Sequence, residues 1–284
     1  MTRIDQFESV FLSSAKAVFR SREVDIRKVL VVTDLDGEEA GALAARLKRF
    51  LRALGPEVDF VPVAGDGSKT IEQLLGLVEK DRPGLICSYR NLHSRAWQWP
   101  HSLGAHLDVL TQATEVPILV IPHPKAQREL PHALIDTNVV MAVTDHLAGD
   151  DRLVSHAVHF TEEGGTLYLA HVEDKATFDR YMATIAKIAS IDTETAEHDI
   201  REQLLKEPHD YIRSCREKLE ADGAAVKIEE IVTLGSGLRE YLRRIEEHKV
   251  DLLVMNTKED GQLAMHGMAY PLAVELRQIP LLML

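Results

Sequence analysis

The sequence contains two similar stretches, KVLVVTDLDG at residues 28–37 and NVVMAVTDHLAG at residues 138–149. Each is a valine-rich apolar run that ends in a Thr-Asp pair, with its aspartate at Asp34 or Asp145. A short apolar run of this kind, followed by a helical pattern, is typical of a parallel strand buried on both faces. The two stretches therefore predict the first strand of two similar β/α units.

A second pair of segments repeats at a fixed spacing. The residues from Gly55 match those from Gly223, Gly67 matches Gly235, and both offsets are 168 residues. The shared pattern is a strand, a glycine turn, an amphipathic helix and a buried strand. Such alternation predicts parallel sheets with right-handed crossovers, whose ligands bind at the carboxyl ends of the strands.

A third pair, residues 104–121 and 267–284, closes each unit with a helix, an X-Pro turn and an apolar strand. The first repeat is the shorter one, and we expect it to lack one β/α unit. The predicted parts are an N-terminal amphipathic helix (1–26), a first repeat (27–124), a linker (125–135) and a second repeat (136–284) with a helical insertion (173–222).

Composition excludes several classes of protein. The net charge is −12, so we expect no nucleic-acid binding, which needs a basic face. No apolar run has the length of a membrane span, and the acidic N-terminus does not resemble a secretory signal. Two cysteines form no disulfide framework, which indicates a reducing compartment and predicts a cytoplasmic protein.

In their order, repeated twice, these strand ends resemble the universal stress protein family in its tandem two-domain form. The segments LYLAHVED, EEHKVDLLVMNT and IPLLML add to the resemblance. It implies an α/β fold of two doubly wound, nucleotide-binding-like parallel sheets that join through their last strands, near residues 117–121 and 280–284. It also implies a stress-response or regulatory role, often with bound ATP or another adenine nucleotide, and we expect a homodimer.

The family's nucleotide site can be carried over residue by residue. It uses an aspartate after the first strand, backbone at the end of the second strand, and a glycine-rich phosphate loop after the fourth. Here the loop departs from the family pattern, because its paired glycines and its Ser/Thr are missing in both repeats. The positions implied by the resemblance are Asp34, Asp145, Val172, Gly104, Gly261, Gly267 and Met268.

The stretch SYRNLHSRAWQWPHSLG, residues 88–104, stands where the first repeat would carry its phosphate loop, and it holds the only two tryptophans of the chain. One interpretation is a replacement site, in which cationic side chains hold an anion and the indole rings stack on a base or a partner. The alternative is that the rings fill an empty cleft or the interface between repeats. The candidate contact residues are Arg90, His93, Arg95, Trp97 and Trp99.

Spacing identifies no catalytic nucleophile with its base, so the main hypothesis is a regulatory module that binds a ligand or a protein partner without turnover. The alternatives are an adenine-nucleotide (ATP or AMP) binder or slow ATPase that uses the second repeat, and an interaction protein with non-functional clefts. We expect no metal; the weak candidates for ligands, which otherwise form an exposed helix face and one buried strand end, are His146, His156, His159 and His171.

Overall fold

The computed structural model describes residues 17–99, 102–144, 147–257 and 268–284. In these residues nine strands form one sheet, in the order β2-β1-β3-β4-β9-β8-β5-β6-β7. All neighbouring strands are parallel except one pair, β4 and β9. The predicted α/β class with mostly parallel sheets is confirmed.

The first repeat contributes four strands, and helices connect them. Every residue of its third and fourth strands is buried, as expected for parallel strands covered on both faces. Its elements are β1 (Lys28–Val32), α1 (Gly37–Phe50), β2 (Asp59–Val63), α2 (Ile71–Asp81), β3 (Leu85–Tyr89), α3 (Ala105–Ala113) and β4 (Ile118–Ile121).

In the described residues the second repeat contributes five strands and the longest helix, of 29 residues, which is one of two helices within the predicted insertion at 173–222. Among the helices that the structure describes, none combines the length and the apolar character that crossing a bilayer requires. The elements are β5 (Val139–Val143), α4 (Asp151–Phe160), β6 (Thr166–Asp174), α5 (Lys175–Ile185), α6 (Thr193–Ala221), β7 (Lys227–Gly235), α7 (Gly237–Glu247), β8 (Leu252–Met255), α8 (Ala269–Glu275) and β9 (Leu281–Met283).

The two repeats meet where β4 and β9 pair antiparallel, with Ile118 opposite Met283 and Val120 opposite Leu281. Both strands are wholly buried. An apolar strand left at the edge of a sheet would offer unpaired backbone groups to other chains. The pairing removes both edges at once and makes the sheet continuous through the seam between the repeats.

The shorter first repeat lacks one strand, and the missing strand changes the place of its neighbour. By sequence offset β2 corresponds to β7, yet β2 pairs with β1 as β6 pairs with β5. Residues 33–58 pass directly from β1 through α1 to β2, whereas the second repeat adds β6 and its two following helices. The strand that matches β7 therefore lies next to β1, in the place that β6 holds beside β5, and like β7 it forms an edge of the sheet.

The described part of the N-terminal segment, residues 17–27, forms no helix, in contrast to the predicted helix over 1–26; residues 1–16 lie outside the described residues. It is an irregular strap across α4 and α6 of the second repeat. Phe19 is buried edge-on to Tyr211, with ring centroids 6.4 Å apart. The Phe19 N–H donates to Ser214 Oγ at 3.0 Å, and the Arg22 N–H donates to Ser155 Oγ at 2.9 Å.

Three acidic side chains meet at the start of β5. Asp251 is 5% exposed, and its Oδ2 accepts the Val139 N–H at 2.9 Å. Glu162 accepts the Thr137 N–H and pairs with Arg52 of the first repeat. Burial raises the pKa of Asp251 to about 7; the Val139 N–H opposes this shift, while Asp136 and Glu162 add to it. Asp251 is therefore a buried carboxyl with two acidic neighbours, of which Glu162 has Arg52 as its counter-charge.

Candidate functional site

Asp34 lies directly beyond β1, at the carboxyl end of the sheet, where a ligand of this fold would bind. Its carboxylate is engaged by the chain itself. The Tyr89 hydroxyl donates to Oδ1 at 2.6 Å, and the His93 N–H donates to Oδ2 at 3.3 Å. Lys125 Nζ lies 3.5 Å from Oδ1. Both carboxylate oxygens therefore have partners within the protein.

The protonation states suit this arrangement. Burial raises the pKa of Asp34, but the hydrogen bond from Tyr89 and the charge of Lys125 outweigh it, so the pKa lies below its usual value. Burial raises the pKa of Tyr89, and its hydrogen bond to Asp34 adds to the effect. At neutral pH an ionised Asp34 accepts from a protonated Tyr89, which is a strong, charge-assisted hydrogen bond.

Three rings stack beside Asp34. The Tyr89 ring meets the His123 ring edge-on at 4.7 Å, and the Trp97 ring lies flat on His123 at 4.8 Å with 24° between the planes. The space left around Trp97 and His123 is a cavity of about 20 Å³. A volume of that size holds about one water molecule, not a nucleotide.

The gap between the ends of the first two strands is bridged in both repeats. In the first repeat the Gly65 N–H donates to the Leu35 carbonyl at 2.9 Å. A Cβ on Gly65 would lie 3.1 Å from the Asp34 backbone, so glycine permits this close turn. In the second repeat the last residue of β5, Val143, pairs with Ala170 of β6. Two residues further along β6, the Val172 N–H donates to the Tyr241 hydroxyl at 3.1 Å.

Gly104 and Met268 stand at the starts of α3 and α8, where the family's phosphate loop would end. Gly104 has φ +93°, and a Cβ there would lie 2.7 Å from Asn91 Cα. The two ends of the loop that carries the tryptophans are therefore in close contact. Met268 Cε would lie 2.7 Å from a Cβ on Gly237. The methionine thus packs on the first turn of α7.

Arg90 is not an available ligand for an anion, in contrast to the interpretation from sequence. Its side chain is buried, and its guanidinium donates to the Ala273 carbonyl from Nε at 3.0 Å and to the Leu276 carbonyl at 2.5 Å. Burial lowers the pKa of Arg90, and the nearby Arg277 adds to this effect. Arg90 satisfies the last carbonyls of α8 and so ties the first repeat to the second.

The remaining predicted loop residues separate into different environments. Arg95 is exposed, and Trp99 is 58% exposed, whereas Trp97 is half-buried in the ring stack. Trp97 lies within a 3₁₀ turn, Ala96–Gln98, and Trp99 follows directly after it. His93 points Nε2 towards Ser68 Oγ at 3.4 Å, but Ser68 is fully buried and donates to the Thr33 carbonyl. We therefore assign Ser68 a structural role.

The candidate metal ligands are not assembled in the part of the chain that the structure describes, where no group of three or more His, Cys, Asp or Glu side chains could hold an ion. His156 Nδ1 hydrogen-bonds the Arg152 carbonyl at 2.9 Å, and His171 Nε2 lies 3.3 Å from Glu173. Burial lowers the pKa of His156 and of His159. The predicted positions that fall outside the described residues are Asp145, His146, Gly261 and Gly267.

Reasoning from sequence missed the residues that close the clefts: Tyr89, His123, Lys125 and Tyr241. Tyr89 ends a buried apolar strand, and a hydroxyl-bearing ring at the carboxyl end of β3 was a detectable signal. His123 and Lys125 follow β4, at the boundary between the predicted first repeat and the predicted linker. Their approach to Asp34 depends on the loop after β4 folding back, and no local pattern indicates that.

Comparison with known proteins agrees with this architecture. The universal stress protein family model matches residues 137–266, within the second repeat. Among solved structures, a functionally unknown protein from Pseudomonas aeruginosa PAO1 is 16% identical, covers 91% of this chain and 92% of its own, and has a TM-score of 0.50. A universal stress protein from Archaeoglobus fulgidus DSM 4304 is 13% identical, covers 91% and 85%, and has a TM-score of 0.47. No curated protein matches the chain. The similarity to the Pseudomonas aeruginosa protein shows the fold alone.

Proposed function

We propose that this protein is a tandem universal-stress-type regulatory module that binds a ligand or a partner without catalytic turnover. In this proposal the first repeat is a shortened copy whose cleft has a structural use. Any adenine nucleotide is bound by the second repeat. The observation that carries the proposal is the engagement of both Asp34 oxygens by Tyr89, His93 and Lys125.

The energetics support a cleft that does not open for nucleotide. A ligand that used Asp34 would have to break its charge-assisted bond to Tyr89 and separate the stacked rings of Trp97 and His123. Each buried group left without its partner costs about 1–3 kcal/mol. The free energy of binding a nucleotide at Asp34 would be reduced by these costs.

The second repeat is the better place for an ATP or AMP site, because the family match lies there. In sequence Asp145 follows β5 as Asp34 follows β1. Against this candidate, Tyr241 already accepts the Val172 N–H, and Tyr241 also donates to the Thr144 carbonyl at 3.3 Å. Nucleotide binding would therefore require the Tyr241 hydroxyl to move.

Calorimetric titration with ATP, ADP and AMP tests the proposal, on protein purified free of nucleotide. We expect any binding to be abolished by Asp145→Ala and unchanged by Asp34→Ala, the matched variant in the other repeat. Binding abolished by Asp34→Ala, in a protein that keeps its circular dichroism spectrum, would refute the assignment of the clefts. No heat from any nucleotide would remove nucleotides from the proposal and leave the partner-binding role.

The exposed Trp99 marks the surface of the first repeat that we assign to a partner. A homodimer and a cytoplasmic location complete the proposal; both cysteines of the chain, Cys87 and Cys215, are buried and unbridged. Sedimentation of the wild-type protein and of Trp99→Ala tests whether this surface is the homodimer contact. A dimer that persists in the variant would place the contact elsewhere.

A further inference from the structure

A small cavity lies at the seam between the two repeats, beside the ring stack. Its volume is about 20 Å³. Three arginines line it, and they come from three parts of the chain: Arg90 follows β3, Arg128 lies in the linker, and Arg277 lies between α8 and β9. Trp97, Trp99 and His123 complete its wall, together with Asn91, Ser102 and Ala126.

The charge at this cavity is positive and is only partly compensated. Arg90 is held by backbone carbonyls, and Arg277 Nε donates to the Val274 carbonyl at 3.0 Å. Among the described residues, the Arg128 guanidinium has one long contact of 3.4 Å, to the Gln98 carbonyl. Burial lowers the pKa of Arg277 and the charge of Arg128 adds to this effect, while Glu275 opposes it. None of the described residues that line the cavity is an aspartate or a glutamate. In a chain of net charge −12, such a concentration of cationic groups is a local exception.

Two buried nitrogens at the cavity have no hydrogen-bond partner among the described residues: Arg277 Nη1 and His123 Nε2. Burial lowers the pKa of His123 to about 4, so the ring is neutral at pH 7. Its Nδ1 accepts the Lys125 N–H at 3.1 Å, which assigns the ring proton to Nε2. Both nitrogens are therefore donors, and each buried donor left unpaired costs about 1–3 kcal/mol.

Asn91 and Ser102 do not supply the missing acceptor. The Asn91 amide donates to the Ser102 carbonyl at 3.2 Å, and the Ser102 hydroxyl donates to Asn91 Oδ1 at 3.2 Å. These two residues satisfy each other. The cavity lining thus combines two unpaired donors and three arginines with no carboxylate, which is the composition of an anion site.

We infer that this seam cavity binds one anionic oxygen group, a phosphate or a carboxylate, between Arg277, Arg128 and His123. The cavity admits one oxygen-sized group, so the rest of the ligand lies outside it, against the exposed ring of Trp99. The inference deepens the proposed partner- or ligand-contacting role of the first repeat and is independent of nucleotide binding in the second. A bound anion would bridge the linker and the second repeat.

Tryptophan fluorescence reports on this site directly, because both tryptophans of the chain line it. Wild-type protein is titrated separately with sodium phosphate, sodium acetate and sodium chloride at matched ionic strength. We expect saturable changes with phosphate, acetate or both, and the two arms distinguish phosphate from carboxylate. Arg277→Gln should weaken the apparent affinity by about tenfold or more, since it removes a charged donor.

Arg128→Gln is the second variant, and because Arg128 is exposed its loss does not threaten folding. It should weaken binding several-fold, while Arg239→Gln, an exposed arginine on α7, should leave the affinity unchanged. Asp145→Ala should also leave the phosphate response unchanged, which separates this site from any nucleotide site. A response that is linear in concentration, equal in sodium chloride, or unaltered in Arg128→Gln would overturn the inference and leave a water-filled cavity.

Discussion

Replacing Asp251 with asparagine should stabilise the protein at pH 8 and much less at pH 5. Asp251 is 5% exposed and lies close to Asp136 and Glu162. Asparagine has nearly the same shape, its carbonyl can accept the Val139 N–H, and its amide can donate to Asp136. The substitution therefore removes a buried negative charge and keeps the hydrogen bonds.

The sign follows from the direction of the pKa shift. Folding raises the pKa of Asp251 from 3.8 to about 7, so the folded protein binds the proton more tightly than the unfolded chain. The stability that this carboxyl contributes is fully present below pH 3.8 and is lost as the pH rises through 7. Asparagine carries no titrating proton and escapes this loss.

The magnitude follows from the same interval. About two pH units of the shift lie between pH 5 and pH 7, and each is worth about 1.4 kcal/mol, so the ceiling is about 3 kcal/mol. The asparagine side chain does not titrate, and the hydrogen bond from the Val139 N–H already contributes to the pKa of Asp251. The gain from Asp251→Asn should therefore be larger at pH 8 than at pH 5 by up to this amount.

Urea unfolding followed by circular dichroism, at pH 5 and at pH 8, measures the effect. Asp59→Asn, at an exposed position on β2, is the control and should change the free energy of unfolding by less than about 0.5 kcal/mol at either pH. If Asp251→Asn gave the same gain at both pH values, or destabilised the protein at pH 8, the description of the acidic junction would be wrong.

Two further substitutions test packing. Phe19→Ala should lower the free energy of unfolding in urea by about 3–5 kcal/mol, because it leaves a cavity where the strap packs. The control Val18→Ala, at a position that is 60% exposed, should change this free energy by less than about 0.5 kcal/mol. Equal effects of the two substitutions would mean that the strap is not docked. Gly104→Ala should lower the free energy of unfolding by about 2–4 kcal/mol, since φ is +93° and the new Cβ would lie 2.7 Å from backbone. The control Gly76→Ala, at an exposed helix position with nothing within 4 Å of the new Cβ, should raise this free energy by up to about 1 kcal/mol. A neutral Gly104→Ala would contradict the close approach of the loop ends.

The fold could be predicted because the sequence patterns that determine it are local and occur twice in the chain. An apolar run that ends in Thr-Asp carries the signal for a buried parallel strand, whatever surrounds it. The pairing of β4 with β9 was also accessible, since both are short apolar strands that would otherwise expose an edge. The pairing of β2 with β1, while its counterpart β7 pairs with β6, was not accessible, because strand order depends on which unit is missing.

The candidate site could be predicted only in outline. The sequence places Asp34 at a strand end, but its partners Tyr89 and Lys125 lie 55 and 91 residues away along the chain. One of the two interpretations of the sequence makes Arg90 an anion ligand, because its charge is visible in the sequence. Its acceptors in the structure are the backbone carbonyls of residues 273 and 276. Because every residue has a backbone carbonyl, the sequence does not indicate which of them accepts a hydrogen bond.

The antiparallel seam also sets an order of events during synthesis. Ile121, the last residue of β4, is synthesised 160 residues before Leu281, the first residue of β9. At about 5–20 residues per second, this apolar strand waits roughly 8–32 s for its neighbour. During that time the first repeat presents a bare strand edge to every other nascent chain nearby. We therefore expect its newly made form to depend on holding chaperones more than its finished form does.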